Sequence, residues 1–103
     1  MWFLQYEVRP TPQHRRFQDI GGAIVDCFIL AASAEVATDQ SSSAVREERW
    51  ELVSVEKGAQ IVNRTEFDAN AIYLQAFDLA MAEGECYLYR SWPKAPEPGN
   101  PIH

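Results

Sequence analysis

Residues 23–31 read Ala-Ile-Val-Asp-Cys-Phe-Ile-Leu-Ala, and Asp26 is the only charged side chain in the run. At strand spacing it shares a face with Ile24, Phe28 and Leu30. Desolvation is how proteins turn a carboxylate into a general acid or base, so Asp26 is the first candidate for chemistry. The plainer reading puts that face on the open side of a sheet, with Asp26 hydrated or paired across strands with an arginine such as Arg9 or Arg90. As a binding residue it would line a ligand or partner surface.

Cys27 and Cys86 belong to no CxxC, and no histidine lies near either in sequence. That excludes the usual metal spacings and a local Cys–His nucleophile. A carboxylate next to Cys27 discourages its thiolate. Both read as free, small apolar side chains. Arg9, His14, Arg15 and Arg16 gather cations within the first sixteen residues of an otherwise acidic chain. They form a loop able to receive an anion, a phosphate or an acidic patch, or else a solvated loop. Tyr87 and Tyr89 share a face of the last strand. Stacking of RNA bases is one use of such a pair, but cross-strand packing with Trp2, Tyr6 or Trp50 suits the charge better. Glu47, Glu48, Glu51 and Glu56 lack convergent histidines and read as a solvated face. The PxxP at Pro93–Pro96 is too short to carry weight. No P-loop, dinucleotide fingerprint, GxSxG or HExxH is present, so neither a cofactor nor a metal is expected.

The chain holds 103 residues, 47% hydrophobic and 23% charged, with nine Lys+Arg against fifteen Asp+Glu and a net charge of -6. One domain fits this length, over residues 1–92 with a proline-rich tail at 93–103. The acidic balance argues against nucleic acid and anionic membrane as partners. Its apolar runs are too short to span a bilayer, and the opening Met-Trp-Phe-Leu has no basic residues before it. Two cysteines without an export signal point to the cytoplasm.

Periodicity supplies the frame for these residues. Residues 2–9 alternate as a half-buried strand ended by Pro10, and 23–31 form a central strand with apolar character on both faces. Between them, 11–22 is either a short helical turn capped by Thr11 or a plain hairpin loop. Ser33 caps a helix over 34–48 whose inner stripe is Ala34, Ala37, Ser41 and Ala44 or Val45. A strand covers 50–57 and resumes at 60–63 after a bend or bulge at Gly58-Ala59. A second helix spans 69–82, capped by Asp68 and stopped by Gly84, with Ala69, Ile72, Tyr73, Ala76, Phe77 and Ala80 as its apolar stripe. The last strand is 85–92.

The order ββαβαβ implies an α+β fold: a two-layer sandwich of ferredoxin-like character, its mostly antiparallel four-stranded sheet carrying both helices on one face. Three Trp, four Tyr and five Phe exceed what two helices can hide on one side. An apolar open face implies an interface, so the expectation is a binding or accessory protein that forms a homodimer. Two other classes remain: an immunity- or inhibitor-type protein masking a basic partner, and a small enzyme built on Asp26.

Overall fold

The computed structural model describes residues 1–95, and the expectations for the end of the tail, 96–103, lie outside the described residues. The elements follow the expected order: β1 (Trp2–Pro10), β2 (Ile20–Ile29), α1 (Ala34–Glu47), β3 (Trp50–Ile61), a short 3-10 turn (Arg64–Phe67), α2 (Ala71–Glu83) and β4 (Glu85–Pro93). The four strands form one sheet in the order β3-β1-β2-β4, with every pairing antiparallel. The chain is thus an α+β protein with two helices on a four-stranded antiparallel sheet. No helix among the described residues is long and apolar enough to cross a membrane.

The helices do not share a face. Neighbouring residues of β1 point to opposite sides of the sheet. Tyr6 meets Ser41 of α1, with 2.6 Å between the hydroxyls, whereas Gln5 donates to Asp26, which also accepts from Tyr73 of α2. The core is split accordingly. One cluster puts Leu4, Tyr6, Val8, Val25, Cys27 and Ile29 under α1 at Ala37 and Val45. The other puts Phe3 and Phe28 under α2 at Ala76, Phe77 and Ala80. The expected two-layer sandwich is therefore corrected to a sheet with one helix on each side, and no face is left fully open. The physical reason lies in β2, which is apolar on both faces and needs cover on both.

Local signals explain most boundaries. The Ser33 side chain caps α1 by accepting from the Val36 amide at 3.2 Å. At the other end Arg49 is left-handed (φ 68), a conformation costing about 1 kcal/mol for a residue with a Cβ. Its carbonyl accepts from both the amide and the hydroxyl of Thr11, so Thr11 ties the loop to this turn and caps no helix. Residues 11–19 form successive turns. The 3-10 turn takes up Asp68, and Asn70 is the residue that caps α2, accepting from the Tyr73 amide at 3.1 Å. Gly84 is left-handed (φ 95) and ends the helix. β3 runs through Gly58 with an extra residue there, since Lys57 lies opposite Gln5 and Gln60 opposite Phe3.

Gly22 lies inside β2, not before it, because the Trp92 indole rests where a Cβ would stand. Gly22→Ala pushes that ring outward. Trp92 is already partly exposed, so the expected loss is about 1 kcal/mol, read as a lower unfolding midpoint.

Candidate functional site

Asp26 is 0% exposed, buried by the strands on either side and by Tyr73 above. Its register explains its company. Gln5 is its Cα partner on β1, and on β4 it faces Leu88, two residues before Arg90. Gln5 Nε2 donates to Oδ1 at 2.8 Å, and the Tyr73 hydroxyl donates to Oδ2. Arg90 Nη2 lies 3.2 Å from both oxygens. Three side chains from three elements thus converge on one buried carboxylate, the arrangement that makes such burial tolerable.

A cleft of about 380 Å³ opens above this cluster, lined by Asp26, Asn70, Ile72, Tyr73, Leu88, Tyr89 and Arg90. Ile72 and Leu88 make its walls apolar, and Arg90, with a side chain 58% exposed, brings charge to it. Only Nη2 of that guanidinium reaches Asp26, leaving further N–H donors for a ligand. The Tyr73 hydroxyl is pushed up to about 12 by burial first and then by its bond to the Asp26 carboxylate. It stays protonated and donating throughout the neutral range.

The other sequence candidates are not brought to this cleft. Arg9 pairs with Glu51 at 2.7 Å on the exposed surface, which raises the arginine and lowers the carboxyl through that same hydrogen bond. The His14 ring packs edge-on against Trp50 with centroids 4.4 Å apart, and its Nδ1 accepts from the Arg16 amide. Arg16 lies 3.8 Å from Asp19. Arg15 borders a shallow depression with Glu47 and Glu48. The basic loop is thus matched largely by local acids and sits apart from Asp26.

Tyr89 stacks on Trp50 (5.2 Å, 16° between planes), the cross-strand packing expected in place of base stacking. Tyr87 joins it on the α1 side. Cys27 and Cys86 are free and face opposite sides of the sheet. Burial, then the Asp26 carboxylate, raises the Cys27 thiol strongly, so it is a poor nucleophile. Among the described residues no group of three or more His, Cys, Asp or Glu side chains is placed to hold a metal ion.

Sequence reasoning reached Asp26 and offered Arg9 or Arg90 as its cross-strand partner on an open, hydrated face. The partner is Arg90, Arg9 goes to Glu51, and the face is covered by α2 with Asp26 buried. The same reasoning missed Gln5, Asn70, Ile72, Tyr73 and Leu88. Tyr73 was visible only as one member of an apolar stripe, and nothing local said which sheet face that stripe would meet.

A small antiparallel α+β protein with a buried carboxylate holding an arginine at the mouth of a cleft is what fold and site define. Comparison with family models, curated proteins and solved structures found no match for the chain.

Proposed function

We propose that this chain is a small cytoplasmic binding or accessory protein that works as a homodimer and takes its ligand in the α2–β4 cleft. The observation that supports it is the saturation of Asp26. Its oxygens already accept from Gln5, Tyr73 and Arg90, so it serves as an anchor fixing two groups at the cleft and not as a proton carrier. The outward end of the ion pair is the arginine. A ligand with a flat apolar body and a planar oxygen acceptor, a carboxylate above all, fits the free N–H donors together with Ile72 and Leu88.

Benzoate is the probe. Titration followed by amide chemical shifts should move Asn70, Ile72, Leu88 and Arg90 together, while inorganic phosphate, lacking the apolar body, moves them less. Arg90→Ala should weaken benzoate about tenfold, as expected for loss of a charge-assisted bond worth about 1.5 kcal/mol. Shifts centred instead on Arg15, Arg46 or Arg49 would remove the cleft from the reading.

A further inference from the structure

We infer that two copies pair through the free edge of β4 and the adjoining flank of α2, forming a continuous eight-stranded sheet; this rests on the homodimer reading and says where that dimer forms. The two edges of the sheet differ. β3 is broken by three register shifts against β1 and carries Glu51, Glu56, Lys57 and Gly58, features that blunt an edge. β4 runs in unbroken register from Trp92 opposite Gly22 to Glu85 opposite Ile29. It bears no lysine, and its single proline, Pro93, stands at the very end. Among the described residues no strand pairs with its outer side, so those backbone groups are offered to another strand.

The helix above it carries a matching stripe. Tyr73, Ala76, Phe77 and Ala80 of α2 face the sheet. The Arg64–Asp78 ion pair and the Phe67–Phe77 contact mark the flank turned toward the 3-10 turn. Ile72 and Leu79, seven residues apart, lie on the opposite flank beside β4 and are 65% and 51% exposed. Ile72 was expected in the buried stripe; it also walls the cleft with Leu88, so this pairing sets the cleft at the subunit boundary, where the second copy covers its open side.

A second copy is the occupant because the surface complements itself. A two-fold axis through Leu88, normal to the sheet, sets Tyr87 opposite Tyr89, Cys86 opposite Arg90 and Glu85 opposite Ser91, so no like charges meet. Leu88 lies about 10 Å along β4 from Glu85, at three strand rises of ~3.4 Å. The midpoint of Ile72 and Leu79 lies about 11 Å back along α2 from Glu83, at 1.5 Å per residue. The same axis that centres the strands therefore sets Ile72 against Leu79 of the second copy. α2 stands over β2 and β4, so the two helices come about 10 Å apart, within ordinary helix-packing distance. The shared face is about 30 Å long and roughly 15 Å tall, burying on the order of 900 Å² in all, which places it among weak, concentration-dependent interfaces.

Light scattering at two concentrations tests this. Wild type should reach about twice 11.7 kDa at the higher one. Leu79→Glu, which spares the cleft, should raise the dimer dissociation constant tenfold or more, and Ile72→Glu should do the same. Met81→Glu, a residue equally exposed at 54% on the other flank, should leave the dimer intact. A wild type that stays monomeric overturns this interface and the homodimer reading together, while the benzoate titration still decides the cleft. A dimer indifferent to Leu79→Glu but broken by Val53→Glu or Val55→Glu overturns the β4 assignment alone.

Discussion

Asp26→Ala is expected to lower the unfolding free energy by about 3 kcal/mol, the largest loss from any single side chain of the site. Three terms set the size. Gln5 and Tyr73, both part-buried, lose the acceptor they were aimed at, at about 1 kcal/mol each. The removed carboxylate leaves a small void under Tyr73, worth about another 1 kcal/mol. Arg90 adds little, because its exposed guanidinium turns to water once its partner is gone. A denaturant midpoint equal to that of wild type would show that the carboxylate does not organise this face.

Asp26→Asn separates hydrogen bonding from charge. The amide oxygen still accepts from Gln5 and Arg90, and the Tyr73 hydroxyl can turn to accept from the amide nitrogen. About half of the alanine loss is expected. Tyr73→Phe alone should cost about 1 kcal/mol, yet close to nothing once Asp26 is alanine, because the bond it removes is already absent. That coupling of about 1 kcal/mol is the signature of a network and would not arise from two independent packing defects.

The element order was legible because each element carried its own signal: alternation in 2–9, the Ser33 cap, Gly84 as a stop and the bulge at Gly58. Layering was not legible in the same way. The stripe of α2 is apolar whichever face it meets, and β1 reads as one-sided because Gln5 and Glu7 occupy the second face. The two-sided apolar run in β2 was the available clue, and it points to a helix on each side. Asp26 stood out as a charge in an apolar strand, but its donors come from β1, α2 and β4, brought together by strand register that no local pattern encodes. The basic loop looked like a site because cations cluster there in sequence. In space Glu51 and Asp19 take up Arg9 and Arg16.

Alkaline pH should unfold this protein before its tyrosines ionise singly. The chain has four, Tyr6, Tyr73, Tyr87 and Tyr89, and burial raises all of them above the ordinary value near 10. The unfolded chain releases these protons from about pH 10 while the folded chain keeps them, so the unfolded state binds fewer protons and stability falls as pH rises. For Tyr73 the loss runs from about 10 to about 12, where the folded state itself ionises. A fully buried tyrosine contributes about 1.4 kcal/mol per pH unit above 10. Tyr6 acts in the same direction, and the partly exposed Tyr73 contributes only a fraction of that slope, against a total stability of about 5–15 kcal/mol for a domain. Tyrosinate absorbance and loss of secondary structure should therefore appear together in one steep step. Tyr87→Phe sharpens the test, since the Tyr87 hydroxyl is buried without a hydrogen-bond partner among the described residues. Its removal should cost nothing at neutral pH and move the alkaline midpoint upward. Tyrosinate appearing gradually from pH 10 with secondary structure intact would mean that these rings meet water freely, and their packing in the two core clusters would have to be redrawn.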